Sequence, residues 1–151
     1  MIFELICRDF FKYISRINGN KIFKIGGILE KNYQWIQDKI LFEEWINGKT
    51  PEPFINANML ELKNTGWMSN RGRQNVASYL SKENKIDWRW GAKYFESKLI
   101  DYDVHSNYGN WMYVSGVGND PRDRKFNIKF QAERYDSENK YQNMWLQTKL
   151  F

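Results

Sequence analysis

Several polar residues fall where helical spacing calls for apolar ones. Asn70, Arg73, Ala77 and Leu80 share one face of a predicted helix at i, i+3, i+7 and i+10, so the stripe begins polar and ends apolar. Phe95, Leu99, Asp103, Asn107 and Trp111 step by four along the next, passing from apolar to carboxylate, amide and indole, with Asp101 close by. Buried charge is costly unless paired, so Arg73 is expected to pair with Asp101 or Asp103. Two readings stay open on pattern alone. One is a structural ion pair or a wet helix face. The other is a pocket for a polar-rimmed aromatic ligand, with Asn70, Arg73, Asp101, Asp103 and Asn107 as its donors and acceptors.

The tryptophans pose the same choice. Trp35, Trp45, Trp67, Trp88, Trp90, Trp111 and Trp145 suit a core, or a stacking platform for bases or a ring cofactor, and spacing does not choose. Glu4 and Arg8, at i and i+4, suit an exposed salt bridge. One His (His105) and one Cys (Cys7) exclude His-pair zinc motifs, multi-cysteine metal sites and an internal disulfide, so no metal is expected. No Gly-rich phosphate loop, nucleophile elbow or kinase-like motif is present.

The elements that would position these residues follow from punctuation and period. Phe3, Ile6, Cys7, Phe10, Ile14 and Ile17 predict an amphipathic helix over 2–17, ended by Asn18-Gly19-Asn20. Residues 21–36 read as connection. Asp38 caps a predicted helix to about Asn47 that buries Leu41, Phe42 and Trp45, and Gly48 stops it. Pro51-Glu52-Pro53 is a turn. Helices are then predicted over about Ile55–Asn64, Asn70–Glu83 and, as one long element, Gly91–Tyr108. Beyond Gly118 the signal fades. Arg122, Arg124, Lys125, Lys129 and Arg134 around Phe126 and Phe130 fit a solvated loop or a phosphate-contacting surface. Alternating Val-rich strands are missing, so the predicted class is all-α.

The 151 residues suggest one domain with a competent core, since a chain this size buries about 70% of its unfolded surface. The 17% aromatic content argues against disorder. A net charge of +5 permits a nucleic-acid partner without requiring one. The charged start and the lack of a long apolar run argue against secretion or membrane insertion. A cytoplasmic protein is expected, or an organellar or nuclear one in a eukaryote.

Longer motifs carry a resemblance. Gly66-Trp67-Met68-Ser69-Asn70-Arg71-Gly72-Arg73-Gln74-Asn75-Val76-Ala77-Ser78 resembles the flavin-domain core of DNA photolyases and cryptochromes. So do Ile86-Asp87-Trp88-Arg89-Trp90-Gly91-Ala92 and the segment from Leu99 through Asp101, Asp103 and Asn107 to Trp111. Further matches are Glu4-Leu5-Ile6-Cys7-Arg8-Asp9-Phe10-Phe11, Trp45-Ile46-Asn47-Gly48-Lys49-Thr50 and Gly116-Val117-Gly118-Asn119-Asp120-Pro121. Gln74 and Tyr113 are the forms carried by the cryptochrome DASH branch. The resemblance spans about Ile2 to Leu146.

The resemblance implies an all-helical FAD-binding domain and light-driven electron transfer to cyclobutane pyrimidine dimers, with single-stranded DNA preferred, or a blue-light receptor. Lesions in this family are flipped out or taken from single strands. By resemblance, Arg8, Trp67, Asn70, Arg73, Asp101, Asp103 and Asn107 bind the cofactor. Glu4, Cys7, Gln74 and Tyr113 bind the lesion. Trp111, Trp88 and Trp35 form an outward electron-transfer chain, so the residues implied as catalytic are Glu4, Asn70 and these three indoles. Cys7 stands where the family has a stacking Trp, a loss of ~1–3 kcal/mol per stacked base. Asn56 and Leu60 replace the usual Asp and Arg. Whole family members also have an N-terminal antenna domain and the segment that holds the FAD phosphates. Residues 1–151 are therefore expected to be the C-terminal part of an FAD-binding domain, a split-gene product or a remnant, with a separately encoded N-terminal half as a possible partner. The alternative is a flavin-free nucleic-acid-binding or interaction module.

Overall fold

The computed structural model describes residues 2–120 and 123–147, with the side chain of Glu4 outside the described residues. α1, Ile2–Asn18, forms where the apolar period predicts it. Its inward side carries Phe11, Ile14 and the buried Ser15 against the sixth helix. The predicted apolar stripe is only partly inward. Phe3, Ile6, Phe10 and Ile17 of that stripe, together with Tyr13, are 44–80% exposed. Helical period locates an apolar face but not what covers it.

A 3-10 turn, Gly19–Phe23, leads into the irregular connection. α2, Lys39–Ile46, is capped as predicted: the Asp38 carboxylate accepts from the N–H groups of Ile40 and Leu41 at 2.9 and 3.1 Å. Trp45 on α2 is fully buried, and its indole Nε1 donates to the Val76 carbonyl at 3.1 Å.

The turn before α3, Pro53–Thr65, is latched by Asn56. Thr50 donates from its N–H and its hydroxyl to Asn56 Oδ1 at 2.9 and 2.7 Å. Asn56 Nδ2 returns a bond to the Thr50 carbonyl at 2.7 Å, so the amide serves both directions, as a carboxylate could not. Gly66 ends α3 at φ +71°, a conformation glycine adopts without steric cost.

α4, Asn70–Ser78, is capped by the Ser69 hydroxyl and continues into a π-type turn over Tyr79–Glu83. Together they fill the predicted 70–83 helix.

The predicted single helix over Gly91–Tyr108 is two helices. α5, Trp88–Lys98, opens on Asp87, which accepts from Arg89 N–H at 3.0 Å. α6, Val104–Ser115, opens on Asp103, which accepts from Ser106 N–H at 2.8 Å. Between them the chain turns at Leu99–Asp103, and Ile100 N–H donates to the Gly66 carbonyl at 3.0 Å. The Asp103-x-x-Ser106 cap takes over where the helix breaks.

The segment beyond Gly118, where the sequence signal fades, also forms helices. α7, Ile128–Tyr135, is capped by Asn127, and α8, Lys140–Leu146, packs on α3. Tyr141 donates to Glu61 across that contact at 2.7 Å, and burial first, then Glu61, pushes its hydroxyl pKa far up. Trp45, Ile55, Met59, Leu62, Met68, Val76, Leu80 and Trp88, all below 2% exposed, centre the core between α2, α3, α4 and α5. Among the described residues no strand is formed, and no helix is long and apolar enough to cross a membrane.

The N–H of Ser106 holds the Asp103 carboxyl below the usual carboxylate range. A depressed folded pKa contributes stability fully present above the unfolded value, near 3.9, and lost as pH falls through the lower folded value. Far-UV circular dichroism during acid titration is therefore expected to show Asp103→Ala melting earlier than wild type at pH 6, by about 1 kcal/mol. That difference should shrink below pH 3. A constant difference across the range would exclude the charged cap as its cause.

Candidate functional site

α4, α5 and α6 converge on a cavity of about 530 Å³, its mouth included. Asn70, Arg73, Gln74 and Ala77 come from α4, Phe95 from α5, Leu99, Asp101 and Asp103 from the turn, and Asn107, Trp111 and Val114 from α6. The polar-to-apolar stripes read in the sequence therefore face one another, even though the second is carried by two helices. The break is what brings Asp101 to the rim.

Arg73 makes the predicted pair with Asp101. Its Nη2 donates to both carboxylate oxygens at 2.9 Å, and its Nε donates to the Met68 carbonyl at 2.9 Å. The guanidinium is mostly buried (26% exposed) and the carboxylate half-exposed at 51%, so the pair forms a polar edge beside an apolar floor. Asn107 is buried, and its Nδ2 donates to the Ala92 carbonyl at 3.0 Å, which fixes the amide between α5 and α6. Trp111 is 2% exposed, packs edge-on against Phe95 at 5.1 Å and Trp45 at 6.2 Å, and its buried Nε1 has no partner among the described residues.

A second, wider cleft of about 1450 Å³, the open solvent at its mouth included, lies between α1, α4 and α6. Cys7, Arg8 and Tyr113 line it, and Asn70, Gln74, Ser106 and Asn110 line both cavities as a common wall. Arg8 is therefore placed in the second cavity, where it pairs with Asp9 at 3.3 Å, and not in the first. Arg124 reaches the Tyr113 hydroxyl at 3.0 Å. Ser106 and Asn110 escaped the sequence reading; their i, i+4 spacing on α6 is the signal that would have found them.

The remaining predicted residues lie elsewhere. Trp67 is 47% exposed and lines neither cavity. Trp88 is fully buried; its Nε1 donates to the Ile25 carbonyl at 3.0 Å and its ring meets Tyr108 edge-on at 6.1 Å. Trp35 meets Tyr33 edge-on at 5.8 Å, and its neighbour Ile36 forms a parallel bridge with Ile86, two residues before Trp88. Glu4 belongs to α1, and the role implied for its side chain lies outside the described residues. Among the described residues no group of His, Cys, Asp or Glu is placed to hold a metal ion.

The first cavity suits a polar-rimmed aromatic ligand. Phe95, Leu99 and Trp111 offer an apolar floor, and Arg73, Asp101 and Asn107 offer charged and amide groups along one side. The profile of the FAD binding domain of DNA photolyase matches residues 1–149. Cryptochrome DASH of Natronomonas pharaonis is 58% identical over 146 residues, which is 97% of this chain and 31% of that protein. Cryptochrome DASH of Xenopus laevis is 52% identical over 147 residues, 97% of this chain and 28% of that one. The crystal structure of a Synechocystis cryptochrome superposes with a TM-score of 0.94 at 57% identity, over 96% of this chain and 30% of that chain. An archaeal photolyase from Sulfolobus tokodaii, solved with two FAD molecules, superposes with a TM-score of 0.89 at 38% identity, over 95% of this chain and 34% of that chain. The chain thus spans about a third of the length of the relatives it matches. It belongs to the family of the FAD binding domain of DNA photolyase, and its likeness to cryptochrome DASH runs along almost its whole length.

Proposed function

We propose that residues 1–151 form one wall of the flavin and lesion sites of a cryptochrome DASH-type, FAD-dependent DNA photolyase acting on pyrimidine dimers in single-stranded DNA. The observation that carries this reading is the Arg73–Asp101 pair at the rim of a cavity that shares a polar wall with a second, wider one. Arg73, Asp101, Asp103 and Asn107 would hold FAD, and Asn70 and Gln74 would stand between it and the lesion. Cys7 and Tyr113 would line the lesion side. Bound FAD supplies the light-driven electron transfer of this family. The chain's own part is to orient the ring, to keep water from its apolar edge and to set the local charge. Among the described residues no donor is spent on the side-chain carbonyl of Asn107, which leaves it free to accept a ring N–H. Trp111, Trp88 and Trp35 would pass electrons inward from the surface.

The rest of the flavin domain is needed for this. Phe3, Ile6, Phe10, Tyr13 and Ile17 follow a 3-4-3-4 spacing, the seam of one helix awaiting another, and all are exposed. This seam is where the remaining part of the domain would dock, bringing the groups that hold the FAD phosphates. That part would come either from a longer chain or from a separately encoded polypeptide.

Mixing the chain with FAD, desalting and recording the visible spectrum tests the reading, with and without the complementary part of the domain from a cryptochrome DASH relative. Flavin is expected to be retained when both parts are present. No retained flavin in either sample would overturn the proposal.

A further inference from the structure

Two neighbouring rings outside both cavities differ in how they can lose a proton. Trp35 and Tyr33 meet edge-on at 5.8 Å between ring centres. The Trp35 Nε1 is buried and has no partner among the described residues. The Tyr33 hydroxyl has two. Lys31 Nζ donates to it at 3.1 Å, and it donates to Asp123 Oδ2 at 3.0 Å. An ammonium has donors only, so Lys31 engages the phenol oxygen and leaves the phenol proton to Asp123. Lys82 donates to the other carboxylate oxygen. Burial works against ionisation of Asp123, yet the bonds from Lys82 and Tyr33 hold its carboxyl below the usual carboxylate range. The Asp123 side chain is 40% exposed, so it exchanges protons with water.

An indole that has lost an electron is a radical cation, and it becomes a milder oxidant once its N–H proton leaves. At Trp35 that proton has no acceptor, so the charge stays on the ring and the ring stays strongly oxidising. Tyr33 is in the reverse position. A phenol gives up an electron readily only when its proton goes too, and Asp123 is in place to take it. The Lys31 and Lys82 ammoniums each lie 5.5 Å from the centre of the Tyr33 ring. Positive charge on that ring is therefore costly, which favours moving electron and proton together.

We infer that Tyr33 is the outer end of the electron path through Trp35: it reduces oxidised Trp35 while its phenolic proton passes to Asp123. One electron moves from the Tyr33 ring to the Trp35 radical cation, and one proton moves from Tyr33 Oη to Asp123 Oδ2. The products are neutral Trp35, a neutral tyrosyl radical and a protonated carboxyl group. The oxidant is Trp35 itself, after it has given an electron inward. That role of Trp35 rests on the proposed function, whereas the Trp35–Tyr33 couple needs no flavin. Once the charge on Trp35 is gone, the inward electron has no nearby cation to return to. The radical then sits on a partly exposed ring, where a small reductant in solution reaches it.

Pulse radiolysis with azide radicals, which oxidise indoles in preference to phenols, tests the couple in the 151-residue chain without FAD. It follows tryptophan radicals as they convert to tyrosine radicals. A fast phase of this conversion is expected in the wild-type chain, and it should vanish in both Tyr33→Phe and Trp35→Phe. Asp123→Asn should slow it on the order of a hundredfold, the lower end of what a positioned base contributes. Circular dichroism identifies any variant that has lost its fold. Tyr33→Phe keeps the ring and removes only the hydroxyl, so it decides the matter if Asp123→Asn unfolds. No fast phase in the wild type, a fast phase that survives Tyr33→Phe, or one that a folded Asp123→Asn leaves unchanged would each overturn the inference. Flavin retention, measured separately, tells the two ideas apart. A Tyr33-dependent phase in a chain that never retains FAD, even with the complementary part, overturns the photolyase reading and leaves the couple standing. Retained FAD with no such phase removes the Tyr33 step alone.

Discussion

Gly91→Ala is expected to destabilise the protein by about 1–3 kcal/mol, against the ordinary direction for this exchange. Gly91 lies inside α5 with no unusual backbone angle, and alanine in a helix interior is normally favoured by ~1 kcal/mol. Here a Cβ would sit 2.2 Å from Cη2 of Trp111 and 2.7 Å from two further ring carbons. The ring cannot swing away cheaply. It is 2% exposed and held edge-on by Phe95 and Trp45, and rigid indole has no flexible end to give. Either α5 moves from α6 or the indole shifts into the first cavity. Denaturant unfolding reads the sign directly, and the midpoint temperature should fall by roughly 5 °C. A red shift of tryptophan emission in the folded variant would place the displaced ring in a wetter site. A more stable variant would mean that α5 and α6 do not approach this closely.

How much of this was legible in advance depended on which force decided each element. Asp38 was legible as a cap because capping is local: a carboxylate before an apolar run satisfies free N–H groups wherever the rest of the chain goes. The same logic applied at Asp103, but the step-by-four stripe through Phe95, Leu99, Asp103, Asn107 and Trp111 outweighed it and joined two helices into one. That stripe still marks the lining of one cavity, since both helices turn their ends of it inward. The Arg73–Asp101 pair was legible from the cost of burying a lone charge, though spacing left Asp103 equally eligible. The break at Leu99–Asp103, anchored by Ile100 on the Gly66 carbonyl, decided between them, and a contact made across some thirty residues leaves no periodic trace. α7 and α8 were illegible for a related reason. Their helical runs are short, and α8 is held by long-range contacts such as Tyr141 with Glu61 rather than by local preference. The outward half of α1 shows the opposite limit. Its period was plain, and only the structure shows that Phe3, Phe10 and Ile17 have no cover among the described residues.

Asp101→Asn is expected to weaken FAD binding roughly tenfold in the reassembled domain while leaving the stability of the chain itself nearly unchanged. The two halves of that expectation come from the same asymmetry. Asp101 is half-exposed, so its ion pair is worth at most about 1 kcal/mol to folding once solvent screening is counted. Arg73 is the more buried partner, and its Nε bond to the Met68 carbonyl keeps it in place when the carboxylate is lost. Asparagine therefore leaves the geometry and removes only the charge. The guanidinium then faces the cavity unneutralised, and a ligand that meets the pair as a neutral, oriented edge meets a cation instead. Hydrogen bonds to charged groups contribute about 1.5–3 kcal/mol, and the partial exposure of the carboxylate favours the lower end. Arg73→Gln should be the harsher change, since it also strips the Met68 carbonyl of its donor and so lowers stability and affinity together. Titrating FAD by fluorescence into both variants, each alongside its unfolding curve, separates these effects. An Asp101→Asn variant with wild-type FAD affinity would put the flavin elsewhere than beside this pair, and the shared wall of Asn70, Gln74, Ser106 and Asn110 would then lose its assignment as the boundary between cofactor and DNA.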